Sequence, residues 1–414
     1  MIQRPAHIIS FMTIAFLVSA DGSLETVYQW RYFDFVWPSP AAREQAIKDG
    51  SYNYSNIRPY DNDVSRDGRV FVSFPFFKGT PVRLGYVTGQ QSISGPLIQP
   101  YPNWEWFNWD NCDNTILAVV RFKIDQCNRL WIVDTGVSDH KRKCPPKLMI
   151  FDLSRNTLLW KSTIPHDIVT NQPKGLMYRS YITTIIIHSR ERDCSDAIAY
   201  IADSISKALI IWDGKKFRRL ESPEFHPEPG QSEIKIESLS ASIDWGISGM
   251  DVSPQTYPGE PQFLFFRPIA SHGLFAISTT ELKNSRKNQN VTIFGTKNIL
   301  NSQSVAHAFS SQGTLFFASL SELAIACWNR YRPLDKENIE IIAQDNERLN
   351  FVSGTKIIKN PIDQEEELWI IASRSIAIHH GKMDFSKTNF YLTRSPVKKL
   401  IGGTRCDIPP RVHH

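Results

Sequence analysis

Short apolar strands closed by Ser, Asp or Gly recur along this chain at a nearly even interval, and that recurrence restricts the fold more than any other feature. The first is Val70-Phe71-Val72-Ser73, entered through the turn Asp67-Gly68. It is followed by Leu130 to Asp134, Ala199 to Asp203, Phe263 to Phe266, Leu315 to Ala318 after Gln312-Gly313, and Leu368 to Ser373. Their starts lie 52 to 69 residues apart across the whole chain. An even period on this scale is the mark of a repeat architecture. Several units show a further apolar strand, as in Lys147 to Asp152, Ala208 to Asp213 and Gly273 to Ile277. The runs are rich in β-branched and aromatic residues and nearly continuous, which suits strands covered on both faces. Helical periodicity is confined to Ala41 to Lys48, with Ser39 placed to cap it, Pro40 in its first turn and Gly50 to stop it. Six units with room for four short strands each predict an all-β, six-bladed β-propeller. A pair of β-sandwiches would not demand one unit every 60 residues or so. The ring must close, and the alternating aromatics of Tyr28 to Phe35 suit a first strand that joins the last blade.

The beginning of the chain indicates a compartment. Residues 1–20 combine a weakly basic start at Arg4 and His7 with an apolar run from Ile8 to Val18 and the small or apolar Val18-Ser19-Ala20. This reads as a secretory signal peptide, too short to span a bilayer comfortably. The expected organisation is then a signal peptide over 1–20, one propeller domain over 21–406 and a short tail over 407–414. In an oxidising compartment six cysteines are expected to pair, in any of fifteen ways. No CxxC or HxxxH spacing supports metal binding. Asn53-Tyr54-Ser55 and Asn290-Val291-Thr292 are glycosylation sequons, so Asn53 and Asn290 are expected on surface loops. The net charge of +5 is modest over 414 residues, and its basic clusters are short and flanked by turn residues. No basic stripe interleaved with stacking aromatics is present, so nucleic acid is not an expected partner, and no membrane partner is expected either.

The stretch from Pro96 to Leu153 is the densest in signals. It carries Cys112, Cys127 and Cys144, with Tyr101, Trp104, Trp106 and Trp109 clustered ahead of them. The expectation is a second blade stapled by disulfides, its aromatics packing between blades.

An ordered series of segments resembles the insect yellow and major royal jelly protein family over nearly the whole chain. They are Trp37-Pro38-Ser39 with Arg43, Asn56-Ile57-Arg58-Pro59 with Asp63-Val64, Gly68 to Ser73, and Pro100 to Trp106. The most specific are Ile124 to Gly136, IDQCNRLWIVDTG, and Cys144-Pro145-Pro146-Lys147-Leu148. Gly249-Met250, Ser253-Pro254, Cys327-Trp328-Asn329 and Glu367-Leu368-Trp369 complete the series. The resemblance implies a secreted six-bladed propeller and the disulfides Cys112–Cys144, Cys127–Cys194 and Cys327–Cys406. It also implies one of three roles: a cuticle, eggshell or pigmentation protein tied to melanin chemistry, a dopachrome-converting enzyme, or a carrier of small aromatic amines or catechols. Extracellular matrix components are the other partners it suggests. Where amine-capturing relatives line their pocket, this chain reads Ala372-Ser373-Arg374-Ser375 in place of an amide and a large apolar residue. That departure implies weak amine capture.

A propeller offers its ligand sites at the mouths of the central channel, where strand ends converge. Polar strand-end residues are therefore candidates: Asp63, Asp134, Thr135, Asp203, Asp251 and Ser373. Each Asp is also the residue type that caps a turn by accepting backbone N–H groups. With Phe351 as a stacking partner, the expected ligand-binding set is Phe351, Ser373, Ser375, Asp134 and Thr135. A lactonase-like propeller holding a hard cation is the rival on the same scaffold, but no set of carboxylates stands out. There is no G-x-S-x-G elbow, and the histidines, His307 among them, fall in no triad order. The expected protein is a non-enzymatic or weakly ligand-binding one, with no cofactor and no metal.

Overall fold

The computed structural model describes residues 24–75, 77–107, 111–138, 141–169, 180–285 and 291–408. The expected signal peptide over 1–20, the end of the expected tail from 409, the sequon residue Asn290, Trp109 and His140 lie outside them. Six four-stranded antiparallel sheets form the blades. Blade 1 runs Asp61–Val64, Val70–Ser73, Leu84–Ser92 and Gly95–Pro100. Blade 2 runs Val119–Ile124, Arg129–Asp134, Lys147–Asp152 and Thr157–Thr163, and blade 3 Ile182–His188, Ile198–Asp203, Ala208–Trp212 and Phe217–Glu221. Blade 4 runs Ile247–Val252, Phe263–Pro268, Leu274–Ser278 and Ile293–Thr296, and blade 5 His307–Phe309, Thr314–Ser319, Ala324–Asn329 and Glu340–Gln344. Blade 6 takes Phe351–Lys359, Glu366–Ser373 and Phe390–Pro396 from the end of the chain.

Its fourth strand is Glu25–Trp30, antiparallel to Phe390–Pro396 with Glu25 opposite Arg394 and Trp30 opposite Phe390. Trp30 explains why this strand stays in place. Its indole is 1% exposed, donates Nε1–H to the Pro96 carbonyl at 2.8 Å and lies 4.8 Å from the Phe33 ring. The first strand of every blade touches the first strand of the next, and the last touches the first, so six inner strands surround a central channel.

The six apolar runs that set the repeat are the second strands of the six blades. A second strand has a neighbour on each edge and another blade on each face, so it is buried at nearly every residue, as in Arg129–Asp134 and Thr314–Ser319. Alternation is lost for that reason. Outer strands keep it, or are simply exposed, as in Thr157–Thr163. The stretch from Pro96 to Leu153 is not one blade. Its first five residues belong to the outer strand of blade 1, and blade 2 starts only at Val119. The prolines explain the division: Pro96 and Pro100 cannot donate to a ladder, and an outer edge strand does not ask them to. Between the blades, Trp106 meets Phe151 edge-on at 5.4 Å, and Tyr101 packs on Phe71 and Phe151. Trp104 stacks on Trp37 at 4.8 Å.

The expected helix is Pro40–Lys48, with the Ser39 hydroxyl accepting from Ala42 N at 3.1 Å and Gly50 at φ +75°; short helices also form at His166–Val169, Thr279–Asn284, Ser375–His379 and Val397–Ile401. The disulfides join Cys112 to Cys144, Cys127 to Cys194 and Cys327 to Cys406, the same three pairs that the resemblance implies. The second ties a turn of blade 2 to blade 3, and the third ties the segment after blade 6 to the third strand of blade 5. Closing loops of 32, 67 and 79 residues contributes about 4 kcal/mol apiece in the chain-entropy account. No helix among the described residues is long and apolar enough to cross a membrane.

Candidate functional site

The inner strands carry charge at alternate positions, so the same face that looks into the channel is ionic. Blade 1 contributes Asp61 and Asp63, and blade 2 contributes Arg121 and Lys123. Arg121 reaches across the axis. Its Nε and Nη2 donate to the Ser353 carbonyl of blade 6 at 3.2 and 2.8 Å. Its Nη1 donates to Thr184 Oγ1 of blade 3 at 3.0 Å and to Ser248 Oγ of blade 4 at 3.4 Å. The guanidinium also lies 5.2 Å from the ring centre of Tyr60, which leads into blade 1. One side chain thereby joins five blades across the channel.

The other charges of the channel are matched. Lys356 Nζ donates to both oxygens of the buried Asp61, at 2.8 and 2.6 Å, and Asp61 also accepts from Phe122 N. Asp63 accepts from Val64 N and Ile124 N, with Lys123 Nζ 4.0 Å away. Asp251 accepts from Phe309 N at 2.7 Å and Val252 N at 2.9 Å. Burial pushes the Asp61 and Asp251 carboxyls above the usual range against the pull of the nearby lysines. Withdrawal from water works against the Lys123 ammonium, yet Asp63, Asp251, Asp61 and Asp125 together raise its pKa on balance. His307 of blade 5 stands apart: it is 6% exposed, and among the described residues neither ring nitrogen has a hydrogen-bond partner. Gly249 makes room for it, since a Cβ there would sit 3.1 Å from Nε2. Burial holds this imidazole neutral, with a pKa well below its ordinary value, and Arg267 and Arg121 act in the same direction.

Antiparallel pairing places the starts of first strands and the ends of second strands at one mouth, as the register Phe351 opposite Ser373 illustrates. There Arg58 sits with its guanidinium 4.0 Å from the Phe77 ring centre, and its Nη1 donates to Ser375 Oγ at 3.4 Å. Burial lowers the Arg58 pKa, partly offset by Tyr60 and Tyr181. Tyr181, just ahead of blade 3, packs its ring 5.4 Å from Trp245, just ahead of blade 4, and burial raises its hydroxyl pKa. The hairpin Glu233–Ile236 and Leu239–Ser242 reaches the helix Ser375–His379 over this mouth, with His380 Nε2 2.7 Å from the Ser240 carbonyl.

The candidates expected from sequence separate into two groups. Ser375 touches Arg58 at the mouth, while Phe351 and Ser373 pair beside it, each 3% exposed. Asp134 is saturated: its oxygens accept from Leu117 N, Ala118 N and Gly136 N and pair with Lys147 Nζ at 3.1 Å. Thr135 Oγ1 accepts from Val137 N. Asp203 likewise accepts from Tyr181 N, Ser206 N and the Ser180 hydroxyl. These aspartates fix the loops of the mouth. Asn53 is exposed, its side chain accepting from Ser55 N. Among the described residues the one group with metal-type donors is Asp125 with Cys127 and Cys194, where the sulfurs form a disulfide and the carboxylate accepts from Arg129 and Trp131. A cleft of about 300 Å³ on the outer wall between blades 4 and 5 is lined by Phe265, Phe275, Phe294 and Trp328. It offers no polar group, so it can hold a ring but cannot orient one, and the mouth is the better site. Sequence reasoning did not single out Arg58, Tyr60, Arg121, Tyr181, Trp245 or Lys356 as site residues. For Arg121 the signal was present: charges at alternate positions inside an otherwise apolar strand.

A family model described as Major royal jelly protein matches residues 117–406. Among curated proteins, major royal jelly protein 9 of Apis mellifera is 37% identical over 391 residues, covering 92% of this chain and 90% of the relative. Major royal jelly protein 8 of the same organism is 33% identical, covering 94% of both, and major royal jelly protein 1 is 32% identical, covering 94% and 91%. Among solved structures, the PQQ-bound form of an aldose sugar dehydrogenase from Streptomyces coelicolor superposes with a TM-score of 0.44 at 11% identity, covering 91% of this chain and 98% of the other. Virginiamycin B lyase from Staphylococcus aureus gives 0.42 at 12% identity, covering 83% and 97%.

Proposed function

The chain belongs to the major royal jelly protein family, and from that premise we propose that it is a secreted, non-catalytic protein that holds small catechol or indole compounds at the channel mouth in cuticle, eggshell or pigment formation. One observation carries the reading: Arg58, Tyr60, Phe77, Tyr181 and Trp245 gather at the mouth above a channel that Arg121 spans. Planar rings stack on such surfaces, and the Arg121 side chain spanning the channel lies beneath them. The three disulfides fit an oxidising, extracellular compartment.

Conversion of dopachrome is the rival, and it needs a base within reach of the ring. Tyr181 has its pKa raised by burial, and His307 is enclosed, so neither is poised to take a proton at neutral pH. Calorimetry of the purified protein with dopamine, serotonin and dopachrome, with dopachrome turnover followed in parallel, tests the reading. Saturable binding of at least one of them without turnover is expected. Turnover that disappears on denaturation would replace the binder with an enzyme.

A further inference from the structure

We propose that Tyr32 and Tyr54 form an oxidative cross-linking site, at which a one-electron oxidant of the haem-peroxidase class joins the two rings and ties the closing strand to blade 1. The rings are in contact, with centres 4.4 Å apart and planes 32° from parallel. Tyr54 is 39% exposed and Tyr32 is half-buried, so each phenol can pass a proton to water and an electron to an oxidant at the surface. The backbones beneath the rings are fixed. Arg31 N donates to the Ser94 carbonyl at 2.7 Å, and the Arg31 carbonyl accepts from Asn389 Nδ2 at 3.0 Å. Asn53 N donates to the Gly79 carbonyl at 2.8 Å, and Ile57 N to the Tyr54 carbonyl at 3.2 Å. The Phe385 ring meets Tyr54 edge-on at 5.3 Å, a second ring contact that limits where Tyr54 can swing. Coupling therefore asks only for small side-chain rotations, with both backbones staying in place.

The place of the pair in the fold gives the bond its use. Tyr32 comes two residues after the closing strand Glu25–Trp30, and Tyr54 opens the helical turn Tyr54–Asn56 that leads to the first strand of blade 1. No cysteine precedes Cys112, so all three disulfides lie beyond this part of the chain. The closing strand is held by one ladder and by side chains, with no cross-link of its own. A bond between positions 22 residues apart restricts the unfolded chain in the way a disulfide does. In the coupling each hydroxyl gives up one electron and one proton, and the two phenoxyl radicals join through ring carbons beside the oxygens. The hydrogens on those carbons then move to the oxygens and restore both phenols. Overall two C–H bonds break and one C–C bond forms, while one hydrogen peroxide is reduced to two waters.

The test treats the dilute full chain with a haem peroxidase and hydrogen peroxide, followed by proteolytic digestion and mass spectrometry. The expected result is dityrosine fluorescence, an intact mass lower by two hydrogens, and a cross-linked peptide pair joining Tyr32 to Tyr54. The treated protein should unfold at a higher temperature than the untreated one, and amide exchange along Glu25–Trp30 should slow. Tyr54→Phe removes one hydroxyl from an exposed ring, so it should unfold like the parent while losing the cross-linked peptide and most of the fluorescence. Tyr257→Phe, at a tyrosine of similar exposure (37%), should keep both. Covalent dimers without the internal link, dityrosine unchanged in Tyr54→Phe, or no coupling under conditions that couple free tyrosine would each overturn the site.

Discussion

Two buried residues of the channel show how differently charge is handled a few ångströms apart. Asp61 is fully buried, which pushes its carboxyl up, and Lys356 opposes that by reaching both oxygens. Breaking such a pair from one side leaves a charge uncompensated in a dry interior, which costs about 3–5 kcal/mol. We expect Lys356→Met to lower the unfolding free energy read from urea titration by that margin, and Asp61→Asn added to it to recover part of the loss. His307 solves the same problem by staying neutral. Its folded pKa lies well below that of the unfolded chain, near 6.5. Above that value the two states bind the same number of protons at this site. As pH falls through it the unfolded chain takes up a proton that the folded chain refuses, so stability is lost on acidification. Relative to His307→Gln, the parent should lose about 1.4 kcal/mol per pH unit below pH 6.5, read from urea unfolding between pH 8 and 5. A flat difference would mean that the imidazole is charged in the folded state.

A blade is held by its neighbours, and the closing strand has the most to lose. Glu25–Trp30 has one hydrogen-bonded edge, Phe390–Pro396, so it depends on side chains to stay. Arg394 pairs with Glu25 at 3.0 Å, but that pair is exposed enough to contribute little. Trp30 is the anchor, enclosed on all sides and hydrogen-bonded to Pro96 of blade 1. Trp30→Ala should cost about 3–5 kcal/mol and speed amide exchange first along Phe390–Pro396. Loss of protection spread evenly over all six blades would show that closure is not a separate step.

At the scale of the ring, Arg121 acts as a hub. Backbone ladders run within blades, so contact between blades depends on side chains, and this one spans the axis to blades 3, 4 and 6. Arg121→Met keeps the length and removes the donors, so the Ser353 carbonyl loses both of its bonds from Arg121, while the Thr184 and Ser248 hydroxyls fall back on the Thr183 hydroxyl. Each loss of a bond to a charged donor costs roughly 1.5–3 kcal/mol, so we expect a broadened, less cooperative unfolding transition as well as a lower midpoint. An unchanged transition would assign ring cohesion to the apolar faces alone.

The architecture was legible because burial on both faces writes itself into sequence: six second strands, covered all round, became six apolar runs at near-even spacing. The helix at Ser39 to Gly50 was legible because caps are local; the closing strand was legible in kind but not in bounds, since of the alternating aromatics Tyr28 to Phe35 only Tyr28 to Trp30 lie in the strand Glu25–Trp30. The boundary at Pro100 was not, since an edge strand and a loop look alike until one knows which edge lies outside. The mouth was legible least. Asp134 and Asp203 carry the composition of a site, yet their oxygens are consumed by N–H groups of preceding loops and turns, a fact of register rather than of residue type. Arg58, Tyr60, Phe77, Tyr181 and Trp245 come from the entries to blades 1, 3 and 4 and from a loop of blade 1, and Arg121 meets Ser353 across 232 positions of chain. The sequence alone determined the repeat, and with it the ring. Only the closure of that ring decided which side chains meet at its mouth, because side chains this far apart in the chain acquire neighbours only when six inner strands converge on one axis.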